Sequence, residues 1–166
     1  MYKKSVTYTP RTKTPEQALV SLMRTCARAE RCSSDALRSM RRWGLSESDA
    51  QGVLERLVRE RFIDDGRYAS AYVREKMRFS GWGERKIRMA LRTKAIPARL
   101  IDEAMAQMVP EENSERLEEM LRKKAAKTTA RNDYELRGKL VRFAVGRGFD
   151  LEEVLEAICR IFEEKE

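Results

Sequence analysis

Apolar residues along this chain recur three and four positions apart, the spacing that gathers them on one face of an α-helix. From Pro15 onward the pattern predicts helix almost without a break. Pro15-Glu16 opens a first helix carrying Ala18, Leu19, Leu22, Met23 and Cys26. Ser33 or Ser34 is placed to cap a second, which ends at Trp43-Gly44, where a glycine suits a left-handed C-terminal cap. Ser46-Glu-Ser-Asp49 reads as the capping box of a third, with Ala50, Val53, Leu54, Leu57 and Val58 on its apolar face. Phe62 closes this unit, and Asp64 or Asp65 caps the next helix with a carboxylate at its positive end. Gly81-Trp82-Gly83 then reads as a sharp corner between two helices. A further unit begins at Pro110, and Lys123, Lys124, Lys127 and Arg131 mark a helix end and a basic connection within it.

The three-helix pattern recurs. A shift of 51 places Gly44, Leu45, Ser46 on Ala95, Ile96, Pro97, and a further 53 reaches Gly148, Phe149, Asp150. The same shifts carry Ala50, Val53, Leu54 and Leu57 onto Ile101, Ala104, Met105 and Met108, then onto Val154, Ala157, Ile158 and Ile161. A helical triplet of this size is too small to bury a core alone, so stacking is implied. The expected fold is all-α: an elongated array of three tandem three-helix repeats, at residues 15–62, 63–109 and 110–166, behind a flexible basic tail at 1–14.

Charge changes the picture from scaffold to binder. The net charge is +8, and its distribution is uneven. Residues 1–62 hold 13 Lys/Arg against 7 Asp/Glu, residues 63–110 hold 10 against 6, and residues 111–166 hold 12 against 14. A basic excess in the first two thirds points to a polyanionic partner contacted there. The chain has no histidine, which excludes Ser-His-Asp and Cys-His catalysis, His-ligated metals and histidine pH switching. Cys26, Cys32 and Cys159 are odd in number and lack C-x-x-C spacing, which fits a reducing compartment; Cys26 and Cys159 read as small core residues. Asp64-Asp65 reads as a cap and not a metal site, because no further ligand stands near it in sequence. No apolar run approaches the roughly 18 residues of a membrane span, and the N-terminus lacks the apolar core of a secretory signal. The expectation is a cytoplasmic monomer with no cofactor, no metal and no catalytic residue.

The charges are also ordered. At about 100° per residue, Arg67, Arg74 and Arg78 fall within about 40° on the helix that starts at Asp65, opposite Tyr68, Ala69, Tyr72, Val73 and Met77. On the next helix Arg85, Arg88 and Arg92 fall within about 60°, opposite Ile87, Ala90 and Leu91. Lys76, Lys86 and Lys94 add to the ridge. Guanidinium forks suit phosphate and carboxylate alike, so the partner is either a nucleic-acid backbone or an acidic protein groove. Trp82 is placed either to plug the helix corner or to stack on a base or a partner side chain.

The string Phe62-Ile63-Asp64-Asp65-x-Arg67-Tyr68-Ala69-x-x-Tyr72-Val73, followed by Gly81-x-Gly83-x-x-Lys86-Ile87-x-x-x-Leu91-x-x-Lys94-x-Ile96, resembles the signature of the RecX family of bacterial recombinase regulators. Ala95 departs from the glycine usual before Ile96, and Glu84-Arg85 from a small or proline pair. The resemblance implies a curved array of three three-helix repeats that lodges in the groove of the RecA filament on DNA. It implies restraint of RecA strand exchange, ATPase and co-protease activity, in DNA repair and the SOS response, without cofactor or catalysis. Under that reading the arginine ridges with Lys76, Lys86 and Lys94 contact RecA or DNA, single- or double-stranded. Asp64, Asp65, Tyr68, Tyr72, Gly81, Gly83, Ile87 and Leu91 build the repeat that presents them. The alternative is a stand-alone helical DNA-binding protein with its arginines on phosphates.

Overall fold

The computed structural model describes residues 12–108 and 110–163; apart from residues 12–14, the tail expected at 1–14 lies outside the described residues. Among those described, nine helices and no strand occur: α1 (Pro15–Cys26), α2 (Ser33–Arg42), α3 (Glu47–Arg59), α4 (Asp65–Arg78), α5 (Glu84–Thr93), α6 (Ala98–Met105), α7 (Pro110–Ala126), α8 (Asp133–Gly146) and α9 (Leu151–Glu163). They form an all-α fold of tandem three-helix repeats. The chain divides into two compact units, the first ending at Tyr68 and the second beginning at Ala69, so the division falls within α4.

In the first unit α1 and α2 both pack on α3, burying Ala18, Leu22, Met40, Ala50, Leu57 and Ile63. The local caps explain why the helices start where they do. Thr14 and Gln17 bond each other's backbone N–H in a reciprocal capping box at α1. Ser46 Oγ accepts from the Asp49 N–H at α3, 3.0 Å away. The start of α2 differs from expectation: Cys32, not a serine, is the N-cap, and it offers no side-chain bond. The Ser33 N–H instead donates to Asp65 Oδ1 at 2.8 Å. Asp64 Oδ1 accepts from the Arg67 N–H at 2.9 Å and caps α4. The two adjacent aspartates thus close two different helix starts, one of them 32 residues away in sequence.

In the second unit Tyr68's neighbour Ala69, with Val73, Met77, Ile87, Leu91, Ile96, Ile101, Ala104 and Met105, is buried. The triplet α7–α9 encloses Leu117, Leu121, Leu140, Ala144, Val154 and Ile161. All the repeat-aligned core positions are buried except Met108, which is half-buried because α6 already ends at Met105. The cysteines also part from expectation. Cys32 is buried, Cys26 half-buried and Cys159 exposed, since Cys159 lies on the outer side of α9 from Ile158 and Ile161. Burial pushes the Cys26 and Cys32 thiols above their ordinary pKa.

The repeat is most visible where the middle helix of each triplet ends. Gly44, Ala95 and Gly148 all have positive φ, at 78°, 56° and 92°. Each is followed by an N–H that reaches back to close the helix: Leu45 to Met40 C=O, Ile96 to Leu91 C=O and Phe149 to Ala144 C=O. These three bonds keep the register of the sequence shifts. Ala95 therefore occupies a left-handed position where its two counterparts are glycines. A left-handed Cβ costs about 1–2 kcal/mol, partly offset by the lower freedom of alanine in the unfolded chain. Ala95→Gly is expected to stabilise the protein by about 0.5–1 kcal/mol, seen as a rise of about 2 °C in thermal midpoint. A lower midpoint would contradict the strain assigned to residue 95.

Candidate basic interface

The corner between α4 and α5 is built from its glycines. Gly81 has φ 58°, while Gly83 is the N-cap of α5 in extended conformation at φ −82°. Gly83 is required for a different reason: close approach. Its N–H donates to Arg147 C=O at 2.9 Å, and the Arg85 N–H donates to Gly148 C=O at 3.0 Å. Arg147 Nη1 donates to Ser80 C=O at 2.6 Å. Three hydrogen bonds thus seat the α4–α5 corner on the end of α8. Trp82 is half-buried at this corner, with Lys86 Nζ 4.5 Å and Lys76 Nζ 5.5 Å from its ring centre.

The arginines separate into committed and open groups. Arg67 bonds Glu30 at 2.7 Å and also donates to the Arg61 and Phe62 carbonyls, closing the first unit. Arg88 bonds Asp102 and Glu84, each at 2.6 Å, and ties α5 to α6. Hydrogen bonding to Glu30 raises the Arg67 pKa, and hydrogen bonding to Asp102 and then Glu84 raises that of Arg88. Both cations have partners within the fold, Arg88 half-buried and Arg67 exposed. Arg74, Arg78, Arg85 and Arg92 are exposed and carry no ion pair among the described residues. Lys76 pairs with Glu75 at 2.9 Å, Lys86 lies over Trp82, and Lys94 is the half-buried C-cap of α5. Tyr68, Ile87 and Leu91 are buried, and Tyr72 is half-buried beneath Lys76.

The open arginines do not share one cleft. Arg74 and Arg78 line a groove of about 270 Å³ with Arg116 of α7. Arg78 continues into a larger groove of about 410 Å³ between the α4–α5 corner and α7–α8. Arg85 lines a separate cleft of about 280 Å³ with Lys86, Met89 and the end of α8. The larger groove draws in cations that were not picked out as site residues: Arg116, Lys123, Lys124, Lys127 and Arg147. Lys123, Lys124 and Lys127 had a sequence signal in the basic connection; Phe79, exposed at the groove edge, had none.

Among the described residues no cluster of three or more Cys, Asp or Glu is arranged to hold a metal. None of the described helices is long and apolar enough to cross a membrane.

Comparison with known proteins follows the same repeats. The model of the RecX second three-helix domain matches residues 64–105, and that of the third three-helix domain matches residues 111–158. Regulatory protein RecX of Thermus thermophilus is 32% identical over 141 residues, spanning 85% of this chain and 89% of its own. Regulatory protein RecX of Vibrio campbellii is 32% identical over 115 residues, spanning 69% of this chain and 72% of its own. The crystal structure of a regulatory protein RecX superimposes with a TM-score of 0.80 at 25% identity, over 88% of this chain and 73% of that one. The crystal structure of RecX from Lactobacillus salivarius shares the fold, with a TM-score of 0.78 at 18% identity, over 88% of this chain and 95% of that one. With both domain models matched in order and relatives similar over most of their length, the chain belongs to the RecX family of regulatory proteins.

Proposed function

We propose that this protein is a non-enzymatic regulator that binds RecA–DNA filaments in the cytoplasm and restrains RecA strand exchange, ATPase and co-protease activity during DNA repair and the SOS response. Family membership carries the reading. The surface chemistry supports it: Arg74, Arg78, Arg85 and Arg92 are exposed on α4 and α5 and carry no ion pair among the described residues, ready for phosphates or carboxylates. Arg67 and Arg88 hold the repeats that display them.

The test is RecA ATPase on single-stranded DNA, with this protein titrated at substoichiometric levels and RecA taken from the same source. ATP hydrolysis is expected to fall across the titration. Unchanged hydrolysis by active RecA overturns the reading.

A further inference from the structure

We propose that the chain binds a second copy of itself, with the basic outer face of α5 in one copy seated on the acidic outer face of α9 in the other. The proposal goes beyond the filament reading and needs neither RecA nor nucleic acid. The monomer expected from sequence is then the form at low concentration.

Each helix turns one face inward and leaves the other open. α5 buries Ile87 and Leu91, and α9 buries Val154, Ala157, Ile158 and Ile161. On the outer side of α5, Arg85, Met89 and Arg92 fall within about 60° of one another, two cations around an apolar centre. Met89 is 68% exposed and lines, with Val145, Gly146 and Gly148, the cleft of about 280 Å³ beside Arg85. On α9, Leu151 and Leu155 stand one turn apart, each 48% exposed. Glu152 and Glu156 form a parallel row about 100° further round the helix, both exposed.

Charge and apolar surface together choose the occupant of the α5 face. A phosphate backbone would use Arg85 and Arg92 but leave Met89 and the cleft idle. An acidic helix edged with leucines uses both, its carboxylates on the guanidinium groups and a leucine in the cleft. α9 is such a helix, and its acids are available. Glu152 carries no ion pair among the described residues, and Glu156 meets Arg160 at the long distance of 3.9 Å. The charge map agrees: residues 63–110, which supply α5, hold 10 bases against 6 acids, while residues 111–166, which supply α9, hold 12 against 14. Self-association covers Arg85 and Arg92, so it excludes filament contact through α5. α9 has no part in the filament reading, which keeps the two separable.

The experiment is sedimentation equilibrium of the full chain without RecA or DNA. A contact of one helix face is small and transient, so the series runs from about 10 to about 500 µM. Salt is held at about 0.15 M, where screening limits the repulsion between two basic chains. The weight-average mass is expected to rise from 19.3 kDa by at least about 1.5-fold across the series. Glu152→Arg with Glu156→Arg, and separately Arg85→Glu with Arg92→Glu, are each expected to weaken self-association at least about tenfold. An equimolar mixture of these two variants is expected to associate again, because each reversed face meets its reversed counterpart. A folding defect in either variant cannot produce that rescue. Met89→Ser, which leaves the net charge unchanged, is expected to weaken association about fivefold. Three results would each overturn the proposal: a mass that stays at 19.3 kDa throughout, parent-like association of either reversed variant, or no association in their mixture.

Discussion

Gly83→Ala is expected to destabilise the second unit by about 3 kcal/mol, and Gly148→Ala by at least as much. A Cβ on residue 83 would stand 2.4 Å from Phe149 N and 2.5 Å from the carbonyl carbon and oxygen of Gly148. These are backbone atoms, so no rotamer change relieves the clash. The corner must move off α8, and with it go the bonds from Gly83 to Arg147 and from Arg85 to Gly148. Residue 83 is in an ordinary extended conformation, so the cost is purely one of space. Residue 148 adds backbone strain at φ 92°, and its Cβ would meet the Cβ and N of Lys86 at 2.4 and 2.5 Å. Gly146→Ala is the matched control. It lies in α8 with nothing within 4 Å of the added methyl, and a gain of about 0.5 kcal/mol is expected from helix propensity. Urea denaturation followed by circular dichroism measures all three. Parent-like stability in Gly83→Ala would remove the glycine contact as the joint between corner and α8.

The helices and their repeat were legible in the sequence because both depend on local rules. The apolar spacing, the caps at Ser46 and Asp64, and the turn residues at Gly44 and Gly148 all act within a few positions. Ala95 stood out only as a departure from the glycine usual before Ile96 in the family signature; its positive φ shows that the position is strained. The residues that sequence order could not assign depend on distant partners. Asp65 reads as one of two caps for α4, yet it caps α2. Arg67 and Arg88 read as members of the ridges, and their pairing with Glu30 and Asp102, 37 and 14 residues away, could not be read from sequence order. The groove was hidden by averaging. The last third of the chain has more acids than bases, so its summed charge gave no hint of a basic wall. Folding separates the two signs: Lys123, Lys124 and Lys127 line the groove, while Glu152, Glu153 and Glu156 lie exposed on α9.

That separation of committed from open arginines sets the second large effect. The double variant Arg85→Glu, Arg92→Glu is expected to raise the concentration for half-inhibition of RecA ATPase by at least about tenfold. Two like-charge contacts would replace two attractive ones at the proposed interface, and such reversals cost several kcal/mol where the partner surface is acidic or phosphate-rich. Folding should be unaffected, with a midpoint within about 1 °C of the parent, because exposed charges away from caps and bridges contribute little to stability. Arg88→Glu on the same helix face should behave differently. It breaks the bridges to Glu84 and Asp102 and sets three acids together, so a loss of about 1 kcal/mol in stability is expected. The contrast distinguishes contact from support along one helix. If the Arg85, Arg92 variant is folded and inhibits like the parent, the α5 ridge is not the contact. The open arginines on the α4 side, Arg74 and Arg78, would then be left to carry it.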